Sequence, residues 1–157
     1  MGPIKHFLLG IILALILFFI FPQITWIEFF LIFASTVLID VDHYTYYVYK
    51  KKDWNLKKAF SWYLKNGKKY LSMSREQKDT YYTGFCFLHG IEILAILFLL
   101  GKFFSIYFYY ILIGFIFHMF LDTIDQIILK KRIDKLSIIY DFLNFRKLKL
   151  IQEDGRE

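Results

Sequence analysis

Long apolar segments separated by short polar breaks dominate the chain. Four of them are long enough to cross a bilayer as helices: about 4–21, 26–43, 84–100 and 105–129. Pro22 ends the first segment, and Gly101 with Lys102 separates the last two, so each neighbouring pair is predicted to form an antiparallel helical hairpin. Helices satisfy their backbone hydrogen bonds internally, as a bilayer requires. The pattern therefore predicts an all-α, integral membrane four-helix bundle, made of two helical hairpins within residues 1–129.

The connection 44–83 is rich in lysine and aromatic residues. Asp53 is placed to cap a helix over 54–66, with Gly67 as its end. Apolar and aromatic residues recur there at helical spacing between lysines, which is typical of an amphipathic helix lying in the headgroup layer of a membrane. The residues of this apolar face are Leu56, Ala59, Phe60, Tyr63 and Leu64. A solvated loop is the alternative.

Two further helix signals lie on either side of the last hairpin. Ser74 followed by Gln77 forms the pattern of a capping box, so the third helix is expected to begin near Arg75. The basic tail, 130–157, has an apolar face at helical spacing and is predicted to be a second amphipathic interfacial helix.

Composition and charge support a membrane protein. The chain is 57% hydrophobic, which is too apolar for an ordinary soluble domain of 157 residues. With four spans, 19 of the 20 Lys and Arg residues fall on one side, and Lys102 alone falls on the other. The positive-inside rule makes the basic side cytoplasmic. We therefore expect a multi-pass protein of the plasma or inner membrane, with both termini cytoplasmic, and with anionic lipids rather than nucleic acid as partners.

The single cysteine, Cys86, excludes an intramolecular disulfide and is interpreted as a packing residue.

Ionisable residues occur where the apolar segments meet the predicted cytoplasmic side. They include all four histidines of the chain, and by topology all of them fall at one end of the bundle. Ionisable side chains are costly within a membrane and usually mark a functional site. The principal candidate metal ligands are Asp40, His43, His89, His118 and Asp122, with His6 and Asp42 as secondary candidates.

The spacing of these residues favours a shared site. His118, Asp122 and Asp125 are spaced i, i+4, i+7 and lie on one helix face. Several buried carboxylates would repel each other, and a divalent cation removes that conflict. Imidazole with carboxylate suits zinc first, with manganese or iron as alternatives. Glu92 or Asp125 could act as the general base or orient a ligating imidazole.

These motifs, taken in order, resemble a known family. A His at the start of the first span, Asp40-x-Asp-His43 at the end of the second, His89 opening the third and His118-x-x-x-Asp122 in the fourth are similar to the YdjM-like membrane-bound metal-dependent hydrolases. That family is also described as LexA-binding, inner-membrane-associated hydrolases. The chain departs from the family pattern at Ile39, where the family has Pro, and in the stretch before His89, which lacks the family's additional His and Arg.

The residues and the resemblance together predict a membrane-embedded, metal-dependent hydrolase. It would act at the cytoplasmic face on a phosphoester or other ester of a membrane-borne or phosphorylated substrate. Two alternatives stay open: a non-catalytic membrane scaffold with a structural metal site, and a carrier of metal ions or protons. The nucleophile motif of serine hydrolases, Gly-x-Ser-x-Gly, does not occur in the sequence.

Overall fold

The computed structural model describes residues 3–130 and 136–151, so parts of the predicted tail, 131–135 and 152–157, lie outside the described residues. The described chain is predominantly helical, which confirms the all-α class. Within it, one helix, Tyr107–Ile128, is long and apolar enough to cross a bilayer, while Ile4–Ile20 is apolar but shorter. The four-span membrane bundle therefore stays a prediction.

Eight α-helices and a short two-stranded sheet make up the described parts of the chain. The helices are α1 Pro3–Ile20, α2 Trp26–Leu38, α3 Val41–Lys51, α4 Leu56–Ser72, α5 Arg75–Lys78, α6 Ile91–Phe103, α7 Tyr107–Asp125 and α8 Ile138–Phe145. A π-helical turn, Gln126–Lys130, extends α7, and the strands are β1 Tyr81–Tyr82 and β2 Lys149–Leu150.

The bundle is organised around α2 and α7. α2 packs against α1 and α7, and α7 also packs against α6. Glycines allow two close approaches: a Cβ at Gly10 would overlap the side chain of Thr36, and one at Gly114 would overlap Ser35. Small residues at an interface let helix backbones approach closely. The polar end of α2 is thereby held directly against α1 and α7.

The predicted helix 26–43 is interrupted. α2 ends at Leu38, and α3 begins at Val41 after a turn at Ile39 and Asp40. Hydrogen bonds from residue i to i−3 tighten the turn, from Asp40 N to Val37 O and from His43 N to Asp40 O. One turn earlier, the hydroxyls of α2 donate to backbone carbonyls, Ser35 to Ile32 and Thr36 to Phe33. Such back-bonding competes with the helical pattern and bends helices.

The third predicted segment also differs from the structure. The capping box of Ser74 and Gln77 is confirmed, but its helix, α5, has only four residues. Helix α6 begins at Ile91, after an extended Gly90, so the expected continuous helix from Arg75 and the segment start at 84 are both wrong. The backbone N–H of Ile91 donates to the carbonyl of Leu136 at 2.9 Å, which fixes the start of α6 against the tail.

Helix α4 is longer than predicted and has a different cap. Asn55, not Asp53, is the N-cap, and its side chain accepts a hydrogen bond from Lys58 N at 3.0 Å. The helix continues through Gly67 to Ser72. Its buried residues are Ala59, Trp62, Asn66 and Tyr70. The predicted helix end at Gly67 is wrong because Tyr70, one turn further on, is buried and prolongs the packed face.

The tail returns to the segment that precedes α6. β1 and β2 pair in parallel, Tyr81 with Lys149 and Tyr82 with Leu150. The ring of Tyr82 stacks on Phe145 of α8, with centroids 4.5 Å apart. The described part of the predicted tail helix thus contacts the body of the protein.

Candidate metal centre

The break between α2 and α3 gives Asp40 and Asp42 different positions from those they would have in one continuous helix. Asp40 lies in the turn, where its side chain is 24% exposed, and Asp42 lies in the first turn of α3 and is fully buried. An uninterrupted helix would have directed these two carboxylates to different faces. The break lets both reach the same cluster of histidines.

All seven predicted ligand residues come together in this cluster. His6 arrives from α1, Asp40, Asp42 and His43 from the turn and α3, and His89 from the extended segment before α6. His118 and Asp122 come from one face of α7. His6, His89 and His118 are each at most 1% exposed. The structure therefore brings these seven residues together, and whether they bind a metal stays a prediction.

Hydrogen bonds fix the tautomers of two central histidines. A carbonyl oxygen only accepts, so His118 Nδ1 donates to the backbone oxygen of Thr36, at 2.8 Å. An ionised carboxylate also only accepts, so His89 Nδ1 donates to Asp42 Oδ2, at 2.9 Å. In the neutral imidazoles, both Nε2 atoms then carry a lone pair and no proton. These two Nε2 atoms lie 3.1 Å apart, an arrangement that a shared cation or proton would stabilise.

Two carboxylate oxygens complete the surroundings of this nitrogen pair. Asp40 Oδ1 lies 3.6 Å from both Nε2 atoms, and Asp122 Oδ2 lies 3.8 Å from both. We call His89, His118, Asp40 and Asp122 the inner four residues. Ligand atoms of Asp40, His89 and His118 lie close enough together to hold one metal ion, and Asp122 forms a second such group with His118 and His6. Imidazole and carboxylate groups are donors that zinc takes.

Asp42 contacts His89 at Nδ1, the ring nitrogen that does not face the other inner residues. Its Oδ2 accepts hydrogen bonds from His89 Nδ1 and from the backbone N–H of Leu88, both at 2.9 Å. Its Oδ1 accepts one from His43 Nδ1 at 2.6 Å. A carboxylate that holds the far nitrogen of a ligating imidazole sets the tautomer and the orientation of the ring. Asp42, a secondary ligand candidate in the sequence, is therefore placed to orient His89 rather than to bind the metal.

His6 has a comparable relation to Asp122. Its Nε2 donates to Asp122 Oδ1 at 3.1 Å, and its ring stacks on His118 with centroids 3.8 Å apart. This contact leaves Asp122 Oδ2 to face the two Nε2 atoms of the inner residues. His6 Nδ1 is buried and has no hydrogen-bond partner within the described part of the chain. His6 thus positions the carboxylate of Asp122.

His43 and Cys86 lie at the edge of the cluster. Cys86 Sγ is 3.6 Å from His43 Nε2 and 3.8 Å from Nδ1. An acceptor on the lone-pair axis of one ring nitrogen would lie much further from the other, so the sulfur faces the ring. This contact is packing of a soft, polarisable group against the imidazole. The interpretation of Cys86 as a packing residue agrees with this geometry, but its position beside the cluster was not foreseen.

Within the described residues, neither Glu92 nor Asp125, the two residues predicted to be catalytic, belongs to the groups of ligand atoms in the cluster. Glu92 Oε1 accepts from Ser137 Oγ at 2.5 Å, and Oε2 accepts from Ile138 N at 3.0 Å. Glu92 therefore caps the start of α8, a contact that the sequence pattern did not indicate. Asp125 is half-buried at the end of α7. Their roles as general base stay predictions.

Tyr63 of α4 is a site residue that sequence reasoning missed. It was assigned to the apolar face of a surface helix, but its ring lies against that of His43, with centroids 5.1 Å apart. Burial, then the neighbouring Cys86 and Asp42, raise the pKa of its phenol well above the usual value. The hydroxyl is therefore protonated at neutral pH and acts as a hydrogen-bond donor.

Comparison of the chain with models of protein families, with curated proteins and with solved structures finds no match. The resemblance to the YdjM-like hydrolases consequently rests on the order and spacing of the short motifs alone.

Proposed function

We propose that this chain is a multi-pass membrane protein whose cytoplasmic end binds a divalent metal ion and hydrolyses a phosphoester or other ester of a membrane-borne substrate. The observation that carries the proposal is the pair of Nε2 atoms, on His89 and His118, that lie 3.1 Å apart while the Nδ1 atom of each ring faces an oxygen acceptor. Carboxylate oxygens of Asp40 and Asp122 lie 3.6 and 3.8 Å from these nitrogen atoms, so donors that zinc takes surround the pair.

The four inner residues would hold the ion, and zinc fits their donor set best. A bound ion of this kind supplies Lewis acidity: it polarises a phosphoryl or carbonyl oxygen and makes water a stronger acid near neutral pH. The protein's own contribution is positional. Asp42 holds His89, the carbonyl of Thr36 holds His118, and His6 holds Asp122, so the donor atoms are fixed before substrate arrives.

The proposed substrate class follows from where the cluster is open. His89, His118 and Asp42 are almost completely buried, whereas the side chains of Asp40 and His43 are 24% and 22% exposed. A substrate would therefore approach past Asp40 and His43, close to α3 and α4. This entry lies where the apolar bundle meets the basic helices, which favours an ester carried by a lipid or another molecule at the membrane surface.

The location in a membrane is supported by large apolar residues on the outside of the bundle. Exposed examples from α1, α2, α6 and the following turn are Phe19, Trp26, Phe103 and Phe104. α4 adds an exposed apolar row beside its lysines, formed by Leu56, Phe60 and Leu64. Its opposite face packs on α3. α4 would then lie on the cytoplasmic surface and contact anionic lipid.

Metal analysis of the purified protein, together with a hydrolysis screen on phosphoesters, tests the proposal. We expect about one equivalent of metal per chain, chelator-sensitive hydrolysis, and loss of both in His118→Ala. Glu92→Gln and Asp125→Asn should retain the metal, and the one that removes the general base should lower kcat. A protein that holds metal but shows no hydrolysis would be the scaffold instead. A metal-free wild type would contradict the whole proposal.

The topology has a separate test in a Cys86→Ser background. A cysteine at Gln23 should be labelled from outside only, and cysteines in 50–70 or at Ser137 should be labelled from the cytoplasm only. Labelling of Gln23 and Ser137 from the same side would contradict the four-span arrangement, whatever the metal analysis gives.

A further inference from the structure

The hydroxyl group of Tyr63 lies where three separate parts of the chain meet. α4 contributes Tyr63 itself, α3 contributes His43, and the segment before α6 contributes Gly84 and Cys86. A Cβ at Gly84 would lie 3.2 Å from the Tyr63 hydroxyl oxygen. The hydroxyl oxygen therefore packs close to the backbone of Gly84, where any larger residue would crowd it.

The hydroxyl is buried, and the described residues offer it no hydrogen-bond partner. Burying a hydroxyl without a partner is unfavourable, and folded proteins seldom retain such a group. A phenylalanine would pack against His43 and Trp62 in the same way without this penalty, since only the rings make those contacts. The oxygen of Tyr63 thus has no role in packing that the ring does not already fulfil.

The position of this donor relative to the cluster suggests what it serves. Tyr63 lies against His43, and His43 Nδ1 is 3.6 Å from Asp40 Oδ1. His43 and Asp40 are the members of the cluster with partly exposed side chains. The ring that carries this donor therefore packs against the part of the cluster from which a substrate would approach.

We propose that the Tyr63 hydroxyl donates a hydrogen bond to a phosphoryl oxygen of the substrate and so positions it at the metal centre. This inference rests on the proposed function. An uncharged donor suits this place because the neighbouring carboxylates, Asp40 and Asp42, already form contacts with the histidines. Two kinds of substrate carry such a phosphoryl group: a soluble phosphomonoester and a lipid with a phosphorylated headgroup.

The test compares wild type with Tyr63→Phe, using a chromogenic phosphomonoester and a short-chain phosphatidic acid in micelles. We expect unchanged metal content, unchanged or higher thermal stability, and a kcat/KM about ten- to a hundredfold lower, as for loss of a hydrogen bond to a charged group. Tyr49→Phe is the matched control, because Tyr49 is exposed on α3 and should keep wild-type kinetics. Hydrolysis of the lipid alone would identify the lipid as the source, and hydrolysis of both compounds would identify the phosphoryl group itself.

Binding provides a second measurement that does not need turnover. The dissociation constant of inorganic phosphate for the metal-loaded protein should rise at least tenfold in Tyr63→Phe. It should also rise in Gly84→Ala, whose methyl group would crowd the hydroxyl and the Tyr46 ring. Wild-type constants in a metal-loaded Tyr63→Phe would overturn this inference and leave the proposed function intact. A wild type that binds neither metal nor phosphate would overturn both.

Discussion

Replacing Asp42 by asparagine tests whether this carboxylate organises the metal centre. In the structure it accepts three hydrogen bonds, from His43 Nδ1, from His89 Nδ1 and from the backbone N–H of Leu88. It is completely buried, so solvent cannot replace any of them. Asparagine keeps the shape of the side chain but offers one acceptor oxygen and one donor NH₂ group.

The magnitude follows from counting these donors. With the amide oxygen toward Leu88 and His89, the NH₂ group faces His43 Nδ1, which must then give up its proton and become an acceptor. All three charge-assisted hydrogen bonds then become neutral ones. Hydrogen bonds to charged groups contribute about 1.5–3 kcal/mol each, roughly twice the neutral value, so the metal-free protein should lose about 2–4 kcal/mol of unfolding free energy. Weaker orientation of His89 should also reduce metal affinity about 10- to 100-fold.

The assay is thermal unfolding in detergent, followed with and without chelator, beside a titration of metal into the stripped protein. The wild type should lose stability when metal is removed, because an ion bound to the native state is linked to folding. The variant should be less stable in both conditions and should need more metal for the same stabilisation. If Asp42→Asn were as stable as wild type and bound metal equally well, the orienting role would be refuted. A more stable variant would indicate that repulsion between the carboxylates dominates.

Three further results are expected. Asp122→Asn should lower metal occupancy sharply because a carboxylate facing both Nε2 atoms is lost. The control, Asp79→Asn, changes an exposed carboxylate and should leave occupancy unchanged. Equal occupancy in both variants, measured by elemental analysis, would exclude Asp122 as a ligand. Gly114→Ala should lower the unfolding midpoint, since its Cβ would overlap Ser35. Gly67→Ala has open space around it and should raise stability by up to about 1 kcal/mol. Thermal unfolding that ranks the two variants in the opposite order would contradict the packing described for Gly114. Three lysines of α4 can be replaced by glutamine: Lys57, Lys58 and Lys65. This replacement should weaken the salt-sensitive binding of the protein to anionic vesicles. Unchanged co-sedimentation with vesicles would argue against contact between α4 and anionic lipid.

The sequence was sufficient to predict the helical class and the grouping of the histidines. Both follow from strong, local signals: long apolar segments predict helices, and ionisable residues within them are costly unless they meet one another. The positions of His118 and Asp122 on one face of α7 needed only helical periodicity.

What could not be predicted depends on contacts between distant segments. The end of α2 at Leu38 has no proline or glycine to mark it, and the break brings both Asp40 and Asp42 to the cluster. The interaction of Glu92 with the start of α8 joins residues 45 positions apart. Tyr63 was placed on an apolar face because its ring is apolar, and periodicity does not reveal where a phenol oxygen lies.

If the bundle spans a membrane as proposed, the lengths of its four long helices have a consequence for the surrounding lipid. α2 and α6 have 13 residues each, against 18 in α1 and 19 in α7. At 1.5 Å per residue, the shorter pair measures about 20 Å, whereas the hydrocarbon layer is about 30 Å thick. In a bilayer such a mismatch is relieved by local thinning. Thinning beside α2 and α6 would bring the headgroups of the surrounding lipids down toward Asp40 and His43, so that a lipid ester could reach the metal centre without leaving its leaflet.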